Sequence, residues 1–185
     1  MGEVEVRRVP GADAEAGRVR GELGAVFREV FAEPPYEYGE EHVELFLERF
    51  DRQRQVPGAA LALARDDGGD LVGFAFGLPL RSADQWWPGL TTEVDPVLVE
   101  EWPGRTFALI ELLVRAPWRG SGVASRLHDE ILADRPEERA TLTTMPGKNA
   151  AQHAYERWGW RKVAQKRNPL PGSPVYDVLI KHLHR

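Results

Sequence analysis

The segment Arg119-Gly-Ser-Gly-Val-Ala124 has the composition of an anion-binding turn. It follows an apolar run that predicts a buried strand and precedes an amphipathic pattern that predicts a helix. Gly120 and Gly122 carry no Cβ, so the backbone there can come close to a ligand. The amides of the turn and of the first helical turn have no intrahelical partner, and the helix dipole favours negative charge beside them. The segment therefore predicts an anion site that suits a pyrophosphate.

The common nucleotide-binding motifs do not fit this turn. The Walker motif requires Gly-Lys-Ser/Thr, and the turn contains no lysine. The dinucleotide fingerprint requires a glycine three residues after Gly122, where this chain has Ser125. A glycine-rich turn that binds nothing is the alternative, and the turn by itself does not decide between the two.

The elements that must position this turn alternate between strand and helix patterns. Strands are predicted over residues 4–6, 59–64, 71–80, 106–114, 141–144, 160–165 and 175–180, the last two joined by a proline-rich loop. Helices are predicted after Asp13, along the stripe from Val43 to Phe50, after the turn, and after Asn149, which is placed to cap the last helix before Gly159 ends it. Residues 81–104, with three tryptophans, predict a long loop. The order predicts a mixed α/β fold in one domain over residues 1–185, with about seven strands in a central sheet flanked by helices.

Composition excludes several classes of function. The net charge of -5 and the lack of a basic stripe argue against a nucleic-acid partner. The chain has no cysteine, which excludes disulfides, thiolate zinc sites and a cysteine nucleophile, and its five histidines have no metal-ligand spacing. The apolar runs are too short to cross a bilayer, and the N-terminus lacks the pattern of a signal peptide. We therefore expect a cytoplasmic protein without a metal or a membrane partner.

These motifs resemble those of the GNAT superfamily of N-acetyltransferases. The turn matches the family's cofactor motif, Arg/Gln-x-x-Gly-x-Gly/Ala, and Glu111-Leu-Leu-Val114 followed by Pro117 looks like the fourth strand and its exit. The segment from Asn149 through Tyr155 to Gly159-Trp160 is similar to the family's second motif. The resemblance covers roughly residues 105–166, and it implies a GNAT-like fold that uses acetyl-CoA.

The resemblance also implies how the cofactor binds. Backbone groups of the fourth strand pair with pantetheine, and an amide near Leu113 or Val114 donates to the thioester oxygen. The turn holds the pyrophosphate. The cofactor-binding residues implied in this way are Leu113, Val114, Arg119, Gly120, Ser121, Gly122, Val123, Ala124, Asn149 and Tyr155.

The implied reaction is transfer of an acetyl group to a primary amine by direct attack in a ternary complex. Tyr155 is the candidate acid, since a phenol with a pKa of about 10 can protonate a departing thiolate. The alternative is a core tyrosine on the stripe Ala151, Ala154, Tyr155 and Trp158. Glu111 is the candidate base, because a carboxylate in so apolar a strand needs a partner or a function. An ion pair with an arginine, with ordered water as the base, is the alternative for Glu111.

The family's first two helices and the loop before its fourth strand wall the acceptor site. Here those segments contain Glu33, Tyr36, Tyr38, Trp86 and Trp87. Aromatic rings with nearby carboxylates suit a cationic amine, whether a small molecule or a protein amine. The alternative is that Trp86 and Trp87 only cover the edge of the sheet. By analogy with the family, a homodimer through the closing strands is also expected.

Two functions from other classes compete with catalysis. The same fold could bind acyl-CoA as a sensor or regulatory module without turnover. A plain α/β interaction domain could instead use the tryptophan-rich segment 81–104 as a partner surface.

Overall fold

The computed structural model describes residues 2–147, 149–168 and 172–184. Within them, seven strands form one sheet in the order β1-β2-β3-β4-β5-β7-β6. The strands are β1 (Val4–Pro10), β2 (Ala60–Asp66), β3 (Leu71–Pro79), β4 (Thr106–Val114), β5 (Arg139–Thr144), β6 (Arg161–Arg167) and β7 (Val175–His182). The helices are α1 (Ala14–Arg18), α2 (Arg20–Phe31), α3 (Glu40–Gln53), α4 (Pro96–Val99), α5 (Val123–Leu132) and α6 (Ala150–Arg157). The predicted mixed α/β fold with a seven-stranded sheet is confirmed.

The chain divides into two compact units. The first contains Met1–Leu78 and Ile110–Asp134, and the second contains Pro79–Leu109 and Arg135–Arg185. The single domain over residues 1–185 stays a prediction. None of the helices in the described part of the chain is long and apolar enough to span a membrane.

In the first unit, helices cover both faces of an antiparallel meander. β1 pairs with β2 from Val4↔Asp66 to Pro10↔Ala60, and β2 pairs with β3 across the predicted hairpin. On one face, the α3 rings Phe46 and Phe50 lie 6.0 Å and 5.0 Å from the β3 rings Phe74 and Phe76. On the other face, a Cβ added to Gly73 would lie 3.2 Å from Leu127 of α5. Because neighbouring residues of a strand face opposite sides, α3 and α5 sandwich β3.

The second unit contains the closing strands and the long segment before β4. β4 and β5 run parallel over Thr106↔Arg139 to Ala108↔Thr141, whereas β7 pairs antiparallel with both β5 and β6. Residues 81–104, predicted to be a loop, contain a 3₁₀ turn (Ala83–Gln85) and the four-residue α4. Arg139 anchors this segment, since its Nη2 donates to the Leu98 carbonyl at 2.8 Å and to the buried Glu101 Oε1 at 3.0 Å.

One predicted helix is divided in the structure. The single helix expected after Asp13 is two helices that meet at Val19, flanked by Gly17 and Gly21, which have low helix propensity. Asp13, predicted to precede a helix, caps the first of them by accepting from the Glu15 amide at 2.9 Å. Part of the predicted proline-rich loop, residues 169–171, lies outside the described residues.

Candidate active site

The predicted anion-binding turn lies directly before α5. Gly120 and Gly122 have φ angles of 75° and 85°, in the left-handed region that favours glycine. Gly122 is the N-cap of α5, and no side chain of the described residues caps the first turn of this helix. The amides of that turn therefore remain available as donors at the positive end of the helix dipole. The turn therefore has the conformation expected from the sequence, and anion binding there stays a prediction.

The turn is open above its glycines. Among the described residues, a Cβ built at Gly120 or at Gly122 has no heavy atom within 4 Å apart from the glycine and its two chain neighbours. The positive φ angles therefore explain why glycine is needed at these two positions, because neighbouring protein atoms leave room for a side chain. The space over the backbone is free for a ligand that approaches closer than a side chain would allow.

The other residues of the turn have different contacts. Arg119 donates from Nε to the Val114 carbonyl at 3.1 Å, and from Nη1 and Nη2 to the two carboxylate oxygens of Glu33 at 2.7 and 3.3 Å. The Ser121 hydroxyl donates to the Trp118 carbonyl at 2.5 Å. The Val123 side chain is buried in the core and Ala124 is half-buried, so these two can offer a ligand chiefly their amides. Glu33, predicted to face the acceptor, is paired with Arg119 of the turn, and its role at the acceptor stays a prediction.

The amides of Leu113 and Val114, either of which was predicted to donate to the thioester oxygen, point to different sides of β4. The Arg115 amide donates to the Val72 carbonyl of β3 at 2.9 Å, and the Leu113 carbonyl faces Gly73 of β3. Successive residues of a strand direct their N–H and C=O groups to opposite sides. Leu112 and Val114 therefore direct theirs away from β3, and the Val114 carbonyl accepts from Arg119 on that side. Val114 is thus the better candidate for the amide donor, and Leu113 belongs to the β3 side.

Glu111 is nearly buried and has an ion-pair partner. Arg49 of α3 donates from Nη2 to Glu111 Oε1 at 2.7 Å. The Glu111 side chain is 10% exposed, whereas that of Arg49 is 44% exposed. Burial raises the pKa of Glu111 to about 7, although the charge of Arg49 and its hydrogen bond act to lower it. Glu111 therefore has the arginine partner that the sequence left open as an alternative. Its pKa of about 7 still suits a base that accepts a proton near neutral pH.

An aromatic cluster around Tyr36 lies in the same unit as this carboxylate. Burial raises the pKa of Tyr36, and the charges of Tyr38 and Glu111 raise it further. The Tyr36 ring lies 4.9 Å from Phe31 and 5.6 Å from Tyr38, and Tyr38 stacks on His42 at 4.3 Å. Sequence reasoning missed Arg49 and His42. The only local signal for Arg49 is its position on α3 between the core residues Phe46 and Phe50.

In the second unit, Asn149 begins α6 as predicted. Its side chain accepts from the Gln152 amide at 3.0 Å, and Gly159, with a φ angle of 85°, follows the last turn. Tyr155 is half-buried, with its ring edge-on to Trp158 at 5.7 Å and to Trp160 at 5.9 Å. The apolar stripe that the sequence offered as an alternative is not the buried face, because Ala151 is exposed and the buried residue of α6 is Gln152.

The comparisons with known proteins agree with this geometry. The model of the acetyltransferase (GNAT) family matches residues 23–160. This chain belongs to the GNAT acetyltransferase family. None of the curated proteins matches it.

Solved structures share the GNAT fold over nearly the whole chain. An acetyltransferase of the GNAT family from Staphylococcus aureus Mu50 has 15% identity and a TM-score of 0.67, covering 98% of this chain and 100% of its own. The GphF GNAT-like decarboxylase in complex with isobutyryl-CoA has 14% identity and a TM-score of 0.65, with 97% and 100% covered. The NatC complex bound to Gag peptide and CoA has 15% identity and a TM-score of 0.62, with 97% and 99% covered. At such identities the likeness establishes the fold.

The two tryptophans that were predicted to face the acceptor make contacts with other residues of this GNAT protein. Trp87 is 5% exposed, packs on Ala164, Val178 and Ile180, and donates from Nε1 to Glu101 Oε1 at 2.9 Å. It covers the sheet, which is the alternative left open by the sequence. Trp86 is half-buried, and its ring lies 5.1 Å from the ammonium of Lys166. Burial lowers the pKa of this lysine, whose ammonium also donates to the Trp86 carbonyl.

Metal chemistry has no support from the arrangement of the described residues. Among residues 2–147, 149–168 and 172–184, no group of three or more histidine or acidic side chains is placed to hold a metal ion. His128, buried on α5, contacts Asp129 through Nδ1 at 2.9 Å.

Proposed function

We propose that this GNAT protein transfers an acetyl group from acetyl-CoA to a primary amine, with both substrates bound at once. The turn before α5 is the observation that carries the proposal. Its two positive-φ glycines have open space above them and lead into a helical turn without a side-chain cap. Membership of the GNAT acetyltransferase family supports the same reaction. The likeness to structures that hold CoA or an acyl-CoA supports this choice of ligand.

The residues of the turn and of β4 fit the two ends of the cofactor. The amides of residues 120–124 would bind the pyrophosphate, and Arg119 would add a positive charge beside it. Leu112 and Val114, which direct their backbone groups away from β3, would pair with pantetheine as an added strand does. When bound, acetyl-CoA supplies the acetyl group as a thioester. Asn149 and Tyr155 complete the proposed cofactor contacts.

Three groups of the chain would then carry the chemistry. Glu111 would take the proton of the acceptor ammonium, directly or through water, and its pKa of about 7 leaves much of it ionised at neutral pH. The Val114 amide would donate to the carbonyl oxygen as the amine attacks. Tyr155 would protonate the sulfur as the C–N bond forms and the C–S bond breaks. Because the chain has no cysteine, the acetyl group cannot pass through a cysteinyl intermediate.

Release of free thiol from acetyl-CoA across a panel of amines tests this proposal. We expect at least one amine to be acetylated. The Tyr155→Phe variant should lose about 10²- to 10⁴-fold in kcat while its affinity for acetyl-CoA stays unchanged. Unchanged kcat in this variant would remove Tyr155 from the mechanism.

Thermal unfolding with acetyl-CoA separates the competing functions. A ligand at 100 times its Kd stabilises the protein by about 2.7 kcal/mol. Stabilisation without thiol release for any amine would identify an acyl-CoA sensor. No stabilisation would contradict the cofactor site itself.

A further inference from the structure

Three carboxylates of the first unit form ion pairs with arginines. Glu111 is paired with Arg49 at 2.7 Å, Glu33 with Arg119 at 2.7 Å, and Glu29 with Arg115 at 3.0 Å. Each of these three negative charges is therefore compensated by a neighbouring positive charge.

Arg49 offers more hydrogen-bond donors than Glu111 uses. Its guanidinium has five N–H groups, and Nη2 makes the contact with Glu111 Oε1. The Arg49 side chain is 44% exposed beside a carboxylate that is nearly buried. One end of this ion pair is thus fixed in the protein, while the other end presents a charged fork to an incoming molecule.

A simple ammonium would meet repulsion at this position. If it binds the second oxygen of Glu111, it lies roughly 5 Å from the Arg49 guanidinium, given ordinary hydrogen-bond lengths. At an effective dielectric constant of about 20, that repulsion lowers affinity by about two orders of magnitude. An anionic group on the acceptor would offset the repulsion, and a carboxylate matches the guanidinium fork in a bidentate manner.

We propose that the acceptor carries a carboxylate close to its primary amine, as an α-amino acid does, and that Arg49 binds this carboxylate while Glu111 binds the amine. This inference rests on the proposed acetyl transfer and names its substrate class. Arg49 is then the residue that selects zwitterionic acceptors over purely cationic ones. The half-buried Tyr36 would contribute an aromatic surface to the same acceptor.

Matched acceptors that differ only in the anionic group test the proposal. Phenylalanine is compared with phenylalaninamide and phenylethylamine, and leucine with leucinamide and isopentylamine, by release of free thiol from acetyl-CoA. We expect kcat/KM for the amino acid to exceed that for the decarboxylated amine by about 100-fold in at least one series. The amide should resemble the amine, since it keeps the size of the carboxylate and loses its charge.

The ratio of kcat/KM for the amino acid to that for the decarboxylated amine should fall close to one in Arg49→Gln. Arg49→Lys should retain part of this preference. The ratio is taken within each variant, so a general loss of folding or activity cancels out. Arg20→Gln is the matched control, because Arg20 also forms a 2.7 Å ion pair, with Asp51, and is 42% exposed. Its ratio should equal that of the wild type. A wild-type ratio near one, or an undiminished ratio in Arg49→Gln, would overturn the proposal.

Binding of products distinguishes failure of this inference from failure of acetyl transfer. If no amine releases thiol although acetyl-CoA binds, the proposed function is wrong. Thermal unfolding with CoA is then measured with N-acetylphenylalanine and with N-acetylphenylethylamine. Stabilisation by N-acetylphenylalanine but not by N-acetylphenylethylamine would support the carboxylate site, provided that Arg49→Gln abolishes it. Equal effects of the two compounds would overturn it.

Discussion

Arg119 and Glu33 form a two-bond ion pair between the turn before α5 and the segment after α2. Nη1 donates to Glu33 Oε2 at 2.7 Å, and Nη2 donates to Oε1 at 3.3 Å. The same guanidinium is fixed by its Nε bond to the Val114 carbonyl at 3.1 Å. The Glu33 carboxylate is therefore already bound to the arginine that adjoins the proposed pyrophosphate site. An incoming pyrophosphate would compete with Glu33 for this charge.

Glu33→Gln should therefore bind acetyl-CoA more tightly than the wild type. Both side chains of the pair are more than 40% exposed, so the pair is worth less than about 1 kcal/mol, and the gain should be at most about fivefold. Calorimetry at low and high salt measures it, and the gain should shrink as salt screens the pair. Glu22→Gln is the control, since Glu22 forms a similar pair with Arg65 elsewhere in this unit. A Kd in Glu33→Gln that is equal to or weaker than that of the wild type would show that Glu33 does not compete.

The second prediction concerns Gly122, where backbone conformation and ligand access can be separated. Gly122→Ala forces a Cβ into the left-handed region, which should lower the free energy of unfolding by about 1–2 kcal/mol. The new methyl group also stands in the open space above the turn, so the Kd for acetyl-CoA should rise by tenfold or more. Urea unfolding and calorimetry measure the two effects.

Gly69→Ala is the matched control for that prediction. Gly69 has a φ angle of 86°, and an added Cβ there also has no described residue within 4 Å beyond its chain neighbours, but Gly69 lies in the β2–β3 hairpin. It should show the same loss of stability with an unchanged Kd. If both variants keep the wild-type Kd, the pyrophosphate does not bind over Gly122.

Local patterns in the sequence were sufficient to predict most strands and helices and the cap of α6. The bounds of β4, Thr106–Val114, are those predicted, because a continuous apolar run defines a strand covered on both faces. Asn149 caps α6 as expected, since capping depends only on residues within one turn of each other. The same locality explains the correct position of the turn with Gly120 and Gly122.

Side-chain partners that are distant in the chain could not be predicted in this way. Glu111 and Arg49 are 62 positions apart, and several arginines were equally available as partners in the sequence. Trp87 likewise has an indole suited to a ligand, yet it is buried over β6 and β7. Burial and pairing depend on which elements pack together, and neither periodicity nor composition specifies that packing.

The third prediction is the pH dependence of the reaction. The pKa of Glu111 is about 7 and its ionised form is the proposed base, so kcat/KM should rise as pH increases through about 7. The midpoint of this rising limb of the pH profile should be the same for acceptors whose amines differ in pKa. In Glu111→Gln the limb should be absent and the rate about 10²- to 10⁴-fold lower. In Arg49→Gln the limb should move to higher pH, because Arg49 lowers the pKa of Glu111. A limb that follows the acceptor's own pKa would exclude Glu111 as the base.

The fourth prediction concerns Asp177, which ties the start of α6 to β7. Its buried carboxylate accepts from Gln152 Nε2 at 3.1 Å, Gln165 Nε2 at 2.8 Å and Lys162 Nζ at 2.7 Å. Asp177→Asn would turn an amide donor toward these donors, and we expect a loss of about 2–4 kcal/mol in the free energy of unfolding, measured in urea. Asp51→Asn, at a pair whose side chains are both 42% exposed, should cost less than about 1 kcal/mol. Equal losses in the two variants would mean that the Asp177 network does not hold α6, and with it Tyr155, in position.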